Sequence, residues 1–436
     1  MTATNGARSA FQIAYPNLAG HRAQQRQGDD RLPFYLAWLG LLLYLLISDD
    51  LLVLVGIPYN IPGGSFLIKL HPGTYLIALG FVLLLLQGDP RQHWPRLFAV
   101  APAPLLFGGV VLSVAIYSLI RFGPSGSAFY IDTLLMPPLL ATLLLQAPLE
   151  LRRRAFRMVV VVLALNALLS IGEAATKINL IPSVPNLDDD FFRATALGGH
   201  PLKNSLTTAT TLIACVILPR GVLMWLIPLL VLGILGFGER LPLGLSLLIL
   251  GGLGGYYFVK ELAARSIDPR LIFAFFSAFL MIGAGMVTLV VGFDFGHRIF
   301  QNLSWDNSAH SRILVFQAFN YLGVEDWLWG MGPDRISGVL ERLISSTTVA
   351  GWENFWVLLF MQVGLAGFIP LTIALFGMII GLTRRGPPAL KWAAVIFLLL
   401  ASANNSLATK NQGLAILVAV LIGGAAEAKL RKTLRP

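Results

Sequence analysis

Three arginines in this sequence lie beside long uncharged apolar segments and could together bind an anion. Arg193 follows a run of aspartates, Arg240 lies in the turn GERLPLG between two apolar runs, and Arg312 begins the stretch RILVFQAF. An arginine next to a membrane-spanning helix is costly unless it is paired or faces a wet cavity. Because a guanidinium group donates hydrogen bonds in a planar fork that matches two anionic oxygens, the three residues predict a site for phosphate or diphosphate.

Each arginine also has a simpler interpretation, which the sequence leaves open. Arg193 could neutralise the acidic run 188–190, and Arg312 could pair with Asp306 on a solvated face. Arg240 could extend its side chain along apolar surface to reach lipid head groups.

Glu353 and Asn354 begin the apolar segment ENFWVLLFMQVGLAGFIPL. A carboxylate at a membrane boundary can have a raised pKa through desolvation, or can act as an ionised base beside arginines. The simpler alternative is that an acidic residue at a helix start is favoured by the helix dipole. We therefore treat Glu353 as a candidate base and Asn354 as a candidate substrate ligand.

The histidines predict no metal site. None of the six forms the His-x3-His spacing that places two ligands on one helix face. His200 and His310 are candidate proton carriers or diphosphate ligands, and Lys203 is a further candidate cation beside His200. With Cys215 as the only cysteine, an intramolecular disulfide is excluded, and we expect no cofactor.

The amino-acid composition indicates the class of protein in which these residues are positioned. Of 436 residues, 56% are hydrophobic and 12% are charged, and the mean hydropathy is +0.74. An average globular chain is about 25% charged, so an ordinary soluble domain is excluded. In a membrane protein, a formal net charge of +10 indicates first which loops face the cytoplasm, rather than binding to nucleic acid.

Apolar runs bounded by charges or by Gly and Pro turns predict an all-α integral membrane protein with about twelve transmembrane helices. The predicted helices cover residues 33–56, 72–88, 97–120, 128–146, 158–176, 204–219, 221–238, 241–258, 271–293, 355–383, 389–408 and 411–426.

Basic residues cluster on one predicted side of the membrane, which predicts that both termini are cytoplasmic. The tails then cover residues 1–32 and 427–436, nine helices lie within 33–293, and three lie within 355–426. Two outer segments follow, a loop at 177–203 and a large loop at 294–354. The short inner loops contain no Gly-rich phosphate loop, so we expect no ATP-driven transport by this chain alone.

The large outer loop carries helical signals. Asn307 or Ser308 could cap a helix over HSRILVFQAFNYL, and Pro333 could begin a second one after the turn WLWGMGP. In that second stretch, apolar residues recur at helical spacing on one face. They are Ile336, Val339, Leu340, Leu343 and Ile344. We expect a cap of amphipathic helices; a lid without chemistry is the alternative.

Several short motifs resemble the O-antigen ligase and polysaccharide polymerase superfamily. The pattern E-N-x9-G-x-x-G from Glu353 to Gly367 resembles the ligase outer-loop signature, with Glu353 where ligases carry histidine. SRILVFQAF before a GMG turn resembles the family's Ser-Arg helix and Gly-x-Gly turn, and FFRATALGGHPLKNS resembles its Arg-containing loop. Together these motifs cover roughly residues 191–370.

The resemblance implies a metal-independent, GT-C-like membrane glycosyltransferase in the bacterial inner membrane. Its substrates would be an undecaprenyl diphosphate-linked oligosaccharide and a growing polysaccharide on the periplasmic side, with membrane lipid around it. Chain-length regulators and export proteins are candidate partners, and nucleic acid is not. Because Glu353 replaces the ligase histidine, the resemblance favours a polymerase making exopolysaccharide, capsule or O-antigen.

Two other functions stay open. A ligase that transfers glycan to lipid A core differs only in its acceptor. A transporter could use polar groups within helices, such as Asn166, Asn404 and Asn405, as a midplane site. We expect close helix packing, and an apolar groove for the lipid tail, at Gly251, Gly252, Gly254 and Gly255.

Overall fold

The computed structural model describes residues 31–59, 67–87, 90–124, 127–181, 192–263, 283, 312–346 and 351–434. Of these residues 81% are helical and none lies in a strand, which confirms the all-helical prediction. The predictions on the acidic run 188–190, the ninth span at 271–293, Asp306 and His310 lie outside the described residues.

The α-helices are numbered in chain order over the described residues. They are α1 (Leu32–Leu46), α2 (Asp49–Leu54), α3 (Pro72–Leu86), α4 (Pro90–Val100), α5 (Pro102–Phe122), α6 (Met136–Gln146), α7 (Leu149–Thr176), α8 (Pro201–Ala214), α9 (Arg220–Gly236), α10 (Arg240–Ala263), α11 (Val324–Trp329), α12 (Pro333–Ser346), α13 (Phe355–Thr383), α14 (Pro388–Ser402) and α15 (Gly413–Leu434). A π-helix, Tyr130–Leu135, leads into α6, and 3-10 helices cover Cys215–Ile217 and Val315–Tyr321.

Five described helices are long and apolar enough to cross a membrane: α5, α7, α10, α13 and α15. Shorter apolar helical segments of 10–17 residues are α1, α3, the π-helix with α6, α9 and α14. A span needs about 20 apolar residues, so length supports a membrane protein with five candidate spans among the described residues. The count of twelve stays a prediction.

Several predicted boundaries were wrong. The last helix does not end at 426, because α15 continues to Leu434 and takes in most of the predicted tail 427–436. The first span, 33–56, is interrupted after α1 because the Ser48 hydroxyl accepts a hydrogen bond from the Leu51 amide and starts α2. The span at 389–408 ends at Ser402, which leaves Asn404 and Asn405 in a connecting segment. The basic cluster at 152–157 lies in the first turns of α7 instead of in a loop.

Glycines let the helix backbones approach closely at several crossings. A Cβ on Gly40 of α1 would lie 2.8 Å from the Gly73 carbonyl oxygen of α3, and one on Gly423 of α15 would lie 2.5 Å from the Arg152 carbonyl oxygen of α7. Gly251, Gly252 and Gly255 have no described neighbour within 4 Å. The prediction of close packing at these three glycines is therefore not met among the described residues.

Contacts between non-adjacent helices define two ends of the bundle. At the end called here the loop end, Lys203 at the start of α8 pairs with Asp49 after α1, and the Trp356 ring nitrogen donates to Ser402 at the end of α14. At the opposite end, called the tail end, Arg153 near the start of α7 pairs with Glu427 of α15. The helices therefore alternate in direction, as expected of a multi-span bundle.

The segment 312–346 forms a helical cap at the loop end. Val315–Tyr321 is a 3-10 helix where an α-helix was predicted, whereas α12 begins at Pro333 as predicted. Ile336, Val339 and Leu343 are buried on one face of α12, which confirms three of the five residues of the predicted apolar stripe. Leu340 is half-buried, and Ile344 is 46% exposed. Inside the cap, Asp326 in the first turn of α11 accepts hydrogen bonds from both terminal nitrogens of Arg335.

Candidate functional site

Arg312, predicted as an anion ligand for catalysis, and Glu353, predicted as a base, form an ion pair at the loop end. The Arg312 Nε lies 3.4 Å from the Glu353 Oε2, and the two side chains are about one-third exposed. Arg312 belongs to the cap, and Glu353 lies just before α13. The pair therefore joins the cap to the start of a candidate span while both groups remain accessible to a substrate.

Asn354 follows Glu353 and caps α13. Its Oδ1 accepts hydrogen bonds from the amides of Trp356, at 3.0 Å, and Val357, at 3.3 Å. This satisfies two of the amides that a helix start leaves without partners inside the helix. The side-chain oxygen of Asn354 therefore has a structural role, and a substrate role for this residue stays a prediction.

The two glycine motifs that carry the family resemblance meet in space. Gly330 of the GMG turn contacts α13 where the helix is interrupted at Gly364, whose φ is 60°. A Cβ on Gly330 would lie 2.5 Å from the Gln362 carbonyl oxygen, and the Met331 amide donates to the Met361 carbonyl at 2.7 Å. The positive φ favours glycine at Gly364, and the close approach requires a residue without a side chain at Gly330.

Arg193 forms a second ion pair at the loop end, with Glu239 as its partner. The Arg193 Nη2 lies 2.8 Å from the Glu239 Oε1, and the side chains are 15% and 10% exposed. Glu239 is followed by Arg240, which begins α10 and is half-buried. One carboxylate and two predicted diphosphate ligands are thus adjacent at the turn between α9 and α10.

Buried polar side chains of α7 and α8 hold the segment that carries Arg193. Glu173 accepts hydrogen bonds from the amides of Thr195 and Ala196, at 2.7 and 2.8 Å. Asn166 accepts from the Leu197 amide at 2.8 Å and donates to Asn204 at 3.0 Å.

The asparagines that a transporter could use have local structural roles. Asn166 anchors the loop that carries Arg193, and the side chain of Asn404 accepts a hydrogen bond from the Ser406 amide in its own segment. These contacts do not form the midplane site that a transporter would need.

His200 and Lys203 lie at the start of α8, and both already have protein partners. His200 caps the helix through its Nδ1, which accepts from the Leu202 amide at 3.3 Å. The neutral ring consequently carries its proton on Nε2. Burial, followed by the positive charge of Lys203, lowers the pKa of His200 to about 4. His200 is thus a neutral donor near pH 7, and Lys203 pairs with Asp49.

A small cavity of about 40 Å³ opens beside Lys203. Its lining includes Asp49, Asn166, Asn204 and Asn411, but none of the three predicted arginines. Asn411 is 3% exposed, and its Nδ2 has no hydrogen-bond partner among the described residues. A volume of this size holds only a few water molecules, so the shared diphosphate site of Arg193, Arg240 and Arg312 stays a prediction.

A buried carboxylate that the sequence analysis missed organises the loop end. Asp132, in the π-helix, accepts hydrogen bonds from the Tyr59 hydroxyl at 2.7 Å and the Thr74 hydroxyl at 2.6 Å. Lys410 lies over the Tyr59 ring, 4.0 Å from its centroid, and donates to the Tyr59 carbonyl. A lone acidic residue inside the apolar run FYIDTLL was the available signal, because a buried charge needs partners.

The described candidates therefore lie at one end of the bundle in two groups. The first contains Arg193, paired with Glu239, Lys203, paired with Asp49, and the adjacent Arg240 and His200; the second contains Arg312, Glu353 and Asn354. Such an arrangement can bind an anion and accept a proton at a membrane boundary. Comparison with protein-family profiles, curated proteins and solved structures finds no match to this chain.

Proposed function

We propose that the protein is a membrane glycosyltransferase that polymerises oligosaccharide repeat units carried on undecaprenyl diphosphate. The observation that carries the proposal is the Arg312–Glu353 ion pair, which sets a base beside an anion ligand at the end of an apolar helix. The resemblance of the surrounding motifs supports the reaction class, and the partly exposed position of the pair suits a substrate that enters from the membrane.

We place the reaction at the loop end, on the extracytoplasmic side of a bacterial inner membrane. The support is the charge distribution, because Arg152, Arg153, Arg154, Arg157 and Arg431 all lie at the tail end. Cytoplasmic segments of membrane proteins carry an excess of Lys and Arg. Both termini are then cytoplasmic, and the cap of residues 312–346 faces the periplasm.

In the proposed reaction, a hydroxyl oxygen of the incoming repeat unit or of the chain attacks the anomeric carbon of the donor glycan. The bond from that carbon to the lipid diphosphate breaks, and its electron pair leaves with the diphosphate. Glu353 accepts the hydroxyl proton, and Arg312 stabilises the leaving anion together with Arg193 and Arg240. His310 assists the proton transfer, and His200, Lys203 and Asn354 position the substrates. The lipid diphosphate linkage is already activated, so the reaction needs no ATP.

Purified protein supplied with the lipid-linked repeat unit alone tests this proposal. A polymerase should produce a ladder of products that differ by one repeat. An O-antigen ligase should make no ladder and should transfer glycan only when lipid A core is added. The proposal fails if neither substrate mixture gives a glycan product from protein whose folding has been verified.

A further inference from the structure

At the tail end, one buried carboxylate gathers three guanidinium groups. Glu427 of α15 is 1% exposed, and it lies 3.0 Å from the Arg153 Nε, 2.9 Å from the Arg157 Nε and 3.1 Å from the Arg431 Nε. Glu150 also contacts Arg153, at 3.3 Å, so two carboxylates face the four positive charges of Arg153, Arg154, Arg157 and Arg431. The interface between α7 and α15 therefore carries an excess of positive charge at the end of two candidate spans.

Part of this excess is presented on the outer face of α7. The Arg157 side chain is 50% exposed and that of Arg154 is 62% exposed. Arg154 has only the half-exposed Glu150 as an ion-pair partner among the described residues, at 3.4 Å. Both arginines can therefore make further hydrogen bonds to a ligand, since a guanidinium group has five donors.

An apolar stripe continues from these arginines along the same helix face. Val161, Leu165 and Leu168 are 57%, 51% and 53% exposed. Their spacing from Arg154 and Arg157 follows the three- and four-residue steps that bring side chains to one face of an α-helix. The surface of α7 is thus cationic at the tail end and apolar for several turns beyond it.

We propose that this face of α7 is a binding site for an anionic phospholipid. The phosphate of the head group lies at Arg154 and Arg157, and an acyl chain lies along Val161, Leu165 and Leu168. Planar guanidinium donors match phosphate oxygens, and basic residues beside a span attract anionic head groups. The proposal depends neither on the glycosyltransferase function nor on the orientation of the protein in the membrane.

Charge and shape favour a lipid over the other occupants. A soluble anion would use the arginines but leave the apolar stripe uncovered. A second copy of the chain packed through this face by two-fold symmetry would bring the same cationic residues together, which is repulsive. An anionic phospholipid is complementary to both parts of the surface.

Native mass spectrometry of the full chain in detergent, titrated with phosphatidylglycerol, tests the proposal. We expect R154Q/R157Q to weaken phosphatidylglycerol binding at least tenfold. The matched control R384Q/K391Q, which removes two exposed charges at the tail ends of α13 and α14, should change it less than twofold. Phosphatidylcholine with the same acyl chains should bind the wild-type protein at least tenfold more weakly.

Because Arg157 also contacts Glu427, the single variant R154Q serves if the double variant does not fold; it should weaken binding at least threefold. Unchanged binding in the folded variants overturns the proposal, as does equal binding of the two lipids. Displacement of phosphatidylglycerol by inorganic phosphate at equal concentration would indicate a site for soluble anions. A dimer that R154Q/R157Q converts to a monomer would assign the face to a second copy of the chain.

Discussion

The backbone of Gly330 in the cap lies directly against Gly364, at the interruption of α13. A Cβ on Gly364 would collide with the backbone of both Gly330 and Leu328, and the φ of 60° adds strain for any other residue. Because α13 begins beside Glu353 and the cap contains Arg312, this crossing helps to set the distance between the two proposed reactive groups.

Gly364→Ala should therefore loosen the cap and lower both stability and activity. We expect a fall in the thermal midpoint of the purified protein and faster proteolysis of the segment 312–346. Gly338→Ala is the matched control, because Gly338 lies in α12 with open space around it. Replacing a glycine inside a helix by alanine raises the free energy of unfolding by up to about 1 kcal/mol. The control variant should therefore be at least as stable as the wild-type protein. Equal behaviour of the two variants would contradict the proposed importance of the crossing.

Arg312→Ala and Glu353→Ala should each abolish polymer formation while lipid-linked single repeats accumulate. Loss of one group that stabilises developing charge typically costs about 100-fold in rate or more. Polymer length and lipid-linked intermediates can be measured in cells with protein expression verified.

Two further variants distinguish chemistry from folding at this pair. Glu341→Ala removes an exposed carboxylate from the cap and should leave polymer unchanged. Arg312→Lys keeps the charge but loses the planar fork, so it should retain more activity than Arg312→Ala. Normal polymer in both alanine variants would remove the proposed roles of Arg312 and Glu353.

Substitutions in the Arg193–Glu239 pair should separate its contribution to folding stability from its contribution to polymer synthesis. Removing one partner of a buried pair leaves an uncompensated charge and costs about 3 kcal/mol or more, so R193A and E239A should each lower the thermal midpoint. The double variant R193A/E239A should recover most of that midpoint, because neither member of the pair is then left without the other. If Arg193 binds diphosphate, the double variant should still make little polymer. Recovery of both stability and polymer would assign Arg193 a structural role only.

Stability should fall as the pH decreases from about 6.5 to about 4. Burial lowers the pKa of both His71 and His200 to about 4, whereas an unfolded histidine titrates near 6.5. Between these values the unfolded chain binds more protons than the native one, so acid favours unfolding. His200→Asn retains a helix-capping side chain and should make the thermal midpoint less sensitive to pH in this range. An unchanged pH dependence would contradict the burial of a neutral His200.

Much of the fold was predictable because apolar run length and charge placement depend on local sequence. The amphipathic stripe of α12 and the start of α13 followed from residue spacing alone. The location of the candidates at one end also followed, since alternating helices bring every second connection to the same side. Arg312 and Glu353 were each predicted as functional residues from separate sequence signals, and the structure pairs them.

The remaining features depend on contacts between distant segments. The pairing of Lys203 with Asp49 was missed because Asp49 was placed inside the first span, and only the cap from Ser48 shows the interruption. Arg193 pairs with Glu239 because the segment 192–197 packs closely against the end of α9. Side-chain partners of this kind have no local signature.

The central claim is that cations at the loop end bind an isoprenoid diphosphate. The most direct test is to measure the affinity of undecaprenyl diphosphate for the purified protein. We predict that undecaprenyl diphosphate binds at least tenfold more tightly than undecaprenol, and that Arg312→Ala and R193A/E239A each remove most of this difference. Equal binding of the diphosphate and the alcohol by the wild-type protein would contradict the account, as would a preference that all these variants retain.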